Sequence, residues 1–176
     1  ELRAKYDVPF IGIEPAIKPA AIQSKTNCIG ILATKGTLNS ELFHKSVTNH
    51  PDVKIIEQIG HGLVQLIENG DINSPEMIEL LESYLLPMVE KNIDYLVLGC
   101  SHYPYLIPQI KKIIPSNIKI IDSGEAVAKQ TKRILEENNI LNNSIEIATQ
   151  TFYTNSDPTV LENILENKEK VFYKNF

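Results

Sequence analysis

Tryptophan is absent from the 176 residues, and cysteine and methionine occur only twice each. Two cysteines, Cys28 and Cys100, offer neither a disulfide framework nor a zinc-ribbon spacing, so reduced thiols are expected. Also missing is any apolar run approaching the roughly 20 residues that a membrane helix needs, and no basic start with an apolar centre marks a signal peptide. The expectation is therefore a cytoplasmic protein with no membrane partner. Positive charge is not in excess: 17 Lys and Arg stand against 22 Asp and Glu, a formal net charge of -5. The lysines are scattered among carboxylates instead of forming a stripe, so no nucleic-acid partner is expected.

What is present suits a globular chain, with 43% hydrophobic and 22% charged residues, enough to build a substantial core. The first residue is Glu1, and Leu2 to Tyr6 read as the end of a helix running into a strand, which predicts that the natural start lies upstream. Short β-rich runs alternate with helical patterns: Val8 to Ile13, Cys28 to Ala33, Val53 to Glu57, Tyr95 to Leu98, Ile118 to Ile121 and Ile145 to Tyr153. That alternation predicts an α/β fold. The clearest helix runs from Ser74 to about Asn92, with Ser74 as N-cap, Pro75 at the first helical position, and Met77, Leu81, Tyr84, Leu85 and Met88 as its apolar stripe. Pro87 within that pattern predicts a kink. Further helices are expected after Gly36, from Gly60 to Glu68, after Pro104, from Gly124 to Asn138 and from Asp157 to Asn167. The continuous apolar run Tyr95-Leu96-Val97-Leu98 predicts a parallel sheet covered on both faces. In such sheets the ligand crevice lies beyond the strand C-terminal ends, here after Ile13, Ala33, Leu98 and Ile121.

One of those ends carries the densest chemistry, for the strand Tyr95 to Leu98 runs into Gly99-Cys100-Ser101-His102-Tyr103-Pro104 and then a helix expected from Tyr105 onward. Gly99 permits a close turn, Cys100 sits at the mouth of the sheet, and the unpaired N–H groups of the helix start together with His102 favour a thiolate there. Ser101 adds a hydroxyl able to hold a carboxylate. Three readings of these residues alone stand side by side: a small buried cysteine, a nucleophile activated by His102, and a proton carrier. A metal is not expected, because Cys100 and His102 supply two ligands and no second cluster completes a tetrahedron.

Leu96-Val97-Leu98-Gly99-Cys100-Ser101-His102-Tyr103-Pro104 closely resembles the second cysteine motif of glutamate racemases. Three further segments agree in the family's order: Ile11-Gly12-Ile13-Glu14-Pro15-Ala16, Gly30-Ile31-Leu32-Ala33-Thr34-Lys35-Gly36-Thr37, and Ile121-Asp122-Ser123-Gly124-Glu125-Ala126-Val127-Ala128. The resemblance spans nearly the whole chain and is loosest after Tyr153. It implies two flavodoxin-like α/β domains facing each other across a cleft, each contributing one catalytic cysteine, with no cofactor. One thiolate removes the α-proton of glutamate while the opposite thiol protonates the other face, supplying D-glutamate for peptidoglycan. By the same resemblance Cys100 is the acid/base acting on the L-isomer, Ser101 and His102 contact substrate, His102 assists proton transfer, and Glu68 orients His102. A homodimer is compatible with this reading.

The chain also departs from the family. Its opening Asp-Ser-Gly segment and first Cys-Asn-Thr motif have no counterpart, since Asp122-Ser123-Gly124 matches a later family segment. Cys28 does not replace the missing cysteine: it begins its strand, and six residues at about 3.3 Å each put it roughly 20 Å from the crevice end. Ser101 stands where threonine is commoner, and Gly60-His61-Gly62 where many members have Ala-Cys-Pro. His44, His50 and His61 read as surface or helix-start residues. Residues 14–120 are expected to form one near-complete domain, with 1–13 and 121–176 belonging to another whose N-terminal half is missing. The isolated fragment is then inactive and exposes apolar surface. Two alternatives are a two-cysteine racemase acting on aspartate, and a binding module that holds an acidic ligand without turnover.

Overall fold

Cys28–Ala33 (β1) and Tyr95–Gly99 (β3) are buried at every position, because apolar side chains leave both sheet faces and each face is covered by helices. The computed structural model describes residues 1–166 and 168–176. Its order is Leu2–Lys5 (α1), Ile17–Gln23 (α2), β1, Lys35–Leu38 (α3), Glu41–Thr48 (α4), Lys54–Ile59 (β2), Leu63–Glu68 (α5), Pro75–Glu90 (α6), β3, a 3-10 turn Tyr103–Leu106, Ile107–Ile113 (α7), Lys119–Ile121 (β4), Gly124–Glu137 (α8), Phe152–Thr154 (β5), Pro158–Ile164 (α9) and Val171–Tyr173 (β6). Four strands form a parallel sheet in the order β2-β1-β3-β4. The α/β, flavodoxin-like reading of the sequence holds for this unit.

The alternation of side chains along β1 and β3 builds two cores. Ile29, Ile31, Ala33, Tyr95 and Val97 pack with Ile17, Ala20 and Phe43 of α2 and α4 on one face. Leu32, Leu96 and Leu98 pack with Leu63, Leu66, Met77, Leu81, Leu85 and Ile110 of α5, α6 and α7 on the other. Within α6, the buried stripe is Met77, Leu81, Leu85 and Met88. At about 1.5–3 kcal/mol per buried side chain these four contribute roughly 6–12 kcal/mol toward fixing the helix. Ser74 caps it, its hydroxyl accepting from the Met77 N–H at 3.1 Å. Pro87 does not end this helix, which continues to Glu90. Proline removes a single i→i−4 donor, and the carbonyl it leaves free belongs to exposed Ser83, open to water.

Two β-rich runs end differently from their sequence pattern. Val8 to Ile13 forms no strand, and of Ile145 to Tyr153 only the end enters β5. A strand exists only with a neighbour to share its backbone hydrogen bonds, and these segments have none among the described residues. Ile145 and Ile147 are fully exposed. The sequence also missed α2 and β6. The expected helix end at Asn167 lies outside the described residues. β5 and β6 pair in parallel as a second small sheet around α9.

Candidate active site

The chain reverses its direction of winding between β1 and β3, and a crevice opens beyond their C-terminal ends, where such a switch places ligands in open parallel sheets. The two strands approach closely there. A Cβ on Gly99 would lie 2.7 Å from the Ala33 Cβ, so only glycine lets β3 end beside β1 and turn into the elbow. Cys100 follows directly and is half-buried.

After the elbow the chain enters the 3-10 turn, with the Tyr103 N–H donating to the Cys100 carbonyl at 3.2 Å. The α-helix expected from Tyr105 begins only at Ile107. Pro104 and Pro108 lack the N–H donors that an i→i−4 ladder needs, so the tighter turn intervenes and the full helix end stands further from Cys100 than the sequence implied.

Three expected site residues come together. The Cys100 Sγ lies 3.9 Å from His102 Nδ1, and His102 Nε2 lies 3.0 Å from Glu68 Oε1 at the end of α5. Such a line of sulfur, imidazole and carboxylate can hold the ring in one tautomer and pass charge changes at sulfur toward the carboxylate. The imidazole is about one-third exposed at 34% and the carboxylate more so at 59%, so the line reaches from the crevice to solvent.

Cys100 and His102 face different spaces, joined at exposed Ser101. A cavity of about 380 Å³ is lined by Cys100, Ser101, Thr34, Thr37, Glu14 and Asp122 among others. A second, of about 410 Å³, lies beside Glu68, Ser101 and His102 and is closed by Thr154 to Asp157 and α9. Among the described residues, no lysine or arginine lines the Cys100 cavity. For a carboxylate this side of the crevice offers neutral donors, the hydroxyls of Thr34, Thr37 and Ser101, while Glu14 and Asp122 offer negative charge to an ammonium group. That combination suits an amino acid.

Thr34 and Thr37 lie in the segment after Ala33 that the sequence placed at the crevice, although neither was named as a site residue. Their hydroxyls lie 3.0 Å apart, and the Thr34 hydroxyl caps α3 through the Thr37 N–H at 3.2 Å. Across the crevice, the buried Ser123 hydroxyl donates to the Glu14 carbonyl, and Asp122 accepts from the Gly124 N–H at 2.6 Å. The first bond ties the Glu14-Pro15 segment to the start of α8, and the second fixes the turn that enters that helix.

The remaining candidates lie apart. Cys28 is buried at the opposite end of β1, its thiol 3.3 Å from the Lys91 carbonyl, and burial pushes that thiol above its ordinary range. His44 and His61 are exposed and His50 is half-buried. Among the described residues no group of three His, Cys, Asp or Glu side chains is placed to hold a metal ion.

Comparison with known proteins adds independent information. The family model described as Asp/Glu/Hydantoin racemase matches residues 1–131. The glutamate racemase of Pseudomonas entomophila (strain L48) is 42% identical over 167 residues, covering 94% of this chain and 63% of that protein. The chain thus spans less than two thirds of the length of this relative. Among solved structures, Escherichia coli glutamate racemase in complex with L-glutamate and the activator UDP-MurNAc-Ala superimposes with a TM-score of 0.81 at 27% identity, over 98% of this chain and 67% of that one. Glutamate racemase isoform RacE1 from Bacillus anthracis gives 0.80 at 28% identity, over 99% and 68%.

Proposed function

The chain belongs to the Asp/Glu/Hydantoin racemase family, and from that premise we propose that the complete protein is a glutamate racemase in which Cys100 is the acid/base acting on the L-isomer. The observation carrying this reading is the Cys100–His102–Glu68 line at the mouth of the β1/β3 crevice. In the L-to-D direction the Cys100 thiolate takes the α-proton, the pair of electrons left on Cα delocalises into the adjoining carboxylate, and a second acid delivers a proton to the opposite face. Cys100 finishes as the thiol. His102, which borders the space beside Ser101 where substrate can reach it, holds the changing charge of the sulfur, with Glu68 fixing the ring.

Removing this proton is hard, because an α-hydrogen between an ammonium and a carboxylate is far less acidic than a thiol. General acid–base catalysis supplies about 10²–10⁴-fold, and the remainder has to come from positioning and from donors aimed at the developing charge. The hydroxyls of Ser101, Thr34 and Thr37 supply such donors. The second acid lies outside these residues, since the other sulfur, Cys28, is buried at the far end of β1. Residues 14–120 form the domain that carries Cys100, and 1–13 with 121–176 join the domain that carries the second cysteine. The separate β5–β6 sheet and the unpaired Val8 to Ile13 segment support that division. The product D-isomer serves peptidoglycan synthesis in the cytoplasm. No helix among the described residues is long and apolar enough to cross a membrane.

The test is solvent deuterium incorporation at Cα of glutamate and aspartate by the complete protein without added pyridoxal phosphate. Cys100→Ala is expected to lose exchange into L-glutamate, while Cys28→Ala keeps it. Exchange surviving Cys100→Ala removes the assignment; exchange into aspartate alone replaces the substrate.

A further inference from the structure

The residue after His102 has no part in the proton-transfer scheme, yet Tyr103 heads the fully buried side chains of the described residues by volume, at 0% exposure. Its hydroxyl donates to the Gly60 carbonyl at 3.1 Å, across 43 positions of sequence. Gly60 has no slack at that contact, because a Cβ there would lie 2.4 Å from the Tyr103 hydroxyl and 2.8 Å from Leu63 Cδ1. Its N–H donates to the Ala33 carbonyl at 3.0 Å, extending the ladder between β1 and β2. One residue on, the His61 carbonyl accepts from the hydroxyl of Tyr84, on α6, at 3.0 Å. Gly62 then turns through a φ of 78° and starts α5, whose last residue is Glu68.

Glu68 has little packing of its own, with its side chain 59% exposed, so its carboxylate goes where the backbone of α5 sends it. That helix is six residues long, and its direction is decided by how its first turn is held. We propose that Tyr103, with Tyr84, is a positioning residue: the two hydroxyls clamp the Gly60-His61 backbone and set α5 where Glu68 meets His102. The inference rests on the reading above, in which the Cys100–His102–Glu68 line moves the proton. Covalent adjacency makes the arrangement a closed loop, since Tyr103 fixes Glu68 through Gly60 and α5 while the neighbouring His102 receives it. Burial, and to a smaller degree the nearby Cys100 and Tyr84, push the Tyr103 phenol above its ordinary value of 10.0, which keeps it a neutral donor throughout the neutral range.

The experiment is a set of double-mutant cycles on the complete protein, reading kcat and KM in both directions and solvent deuterium incorporation at Cα. Tyr103→Phe keeps the ring and is expected to lower kcat from L-glutamate about tenfold with KM nearly unchanged, as expected when a supporting group lets a reacting one drift. Glu68→Gln should give a similar loss. The combined variant should be no slower than Glu68→Gln alone, because both changes break one line. Tyr84→Phe, whose hydroxyl is less buried, should give a smaller loss that also vanishes in the Glu68→Gln background. It carries the test if Tyr103→Phe does not fold. Tyr95→Phe, which removes a hydroxyl at the far end of β3, should leave kcat as it is. Losses that multiply with that of Glu68→Gln, or normal kcat in both Tyr103→Phe and Tyr84→Phe, overturn the clamp while leaving the racemase reading intact. Full activity in Cys100→Ala removes that reading instead.

Discussion

At the scale of single residues, two acidic groups illustrate how surroundings decide a carboxylate's work. Glu68 is exposed and holds an imidazole; Asp94 sits at the opposite end of the sheet and accepts from Ser24 Oγ at 2.6 Å and from the Lys25 and Thr26 N–H groups. Burial opposes ionisation of Asp94, but those hydrogen bonds outweigh it and hold its carboxyl below the ordinary value of 3.8. A depressed value means that the folded state favours the ionised form. The stability it contributes is therefore present above the ordinary aspartate value and is lost as pH falls through the folded-state value. Asp94→Asn should destabilise the fold near neutral pH by about 1–3 kcal/mol for the lost charge-assisted bonds, read as a lower urea midpoint, and should flatten the acid limb of stability against pH. An unchanged acid limb would show that the loop from Ser24 to Thr26 is held by other means.

At the scale of elements, the helix readings succeeded where local chemistry was complete. Ser74, Pro75 and Glu76 mark the start of α6, and spacing gave its buried stripe except at Tyr84, which is half-buried because its hydroxyl reaches out to the His61 carbonyl. Replacing Ser74 with alanine removes the acceptor for the Met77 N–H and should cost about 1 kcal/mol, read as a lower urea midpoint with the same denaturant slope. The strand readings divided by partner: β1 and β3 were legible because neighbours complete their ladders, whereas Val8 to Ile13 and Ile145 to Thr151 have the composition of strands and no neighbour among the described residues. Composition expresses a preference, and a ladder requires two chains. The elbow was legible as a turn at Gly99, but the delay of α7 to Ile107 follows from two prolines whose joint effect on the hydrogen-bond ladder a residue-by-residue reading underweighted.

At the scale of the whole molecule, apolar groups gather where the second sheet and the terminal segments lie. Tyr6, Val8, Ile13, Ile145, Ile147, Tyr173 and Phe176 are all at least half-exposed, and α8 has no fully buried residue. Surface of this kind is covered in a stable protein by other chain or by a partner. The 176-residue chain on its own should therefore bind the dye ANS more strongly, mole for mole, than the complete protein, and should fail to exchange the Cα proton of glutamate. Equal dye binding by the two would mean that these residues stay exposed in the complete protein and do not meet a second domain.

By itself the sequence determined the α/β class, the parallel sheet and the family, because continuous apolar strands, helix caps and the run from Leu96 to Pro104 are local signals carried by neighbouring residues. It also named Cys100, Ser101, His102 and Glu68 as candidates, the last only through resemblance. Tertiary structure alone decided that Thr34 and Thr37 share the cavity of Cys100 and that a buried phenol meets the carbonyl of Gly60, whereas the contact of Glu68 with His102 across 34 positions was expected only through resemblance. Those contacts depend on strand order and on the exact launch of short helices. No local preference encodes them, since each is made only when distant segments pack.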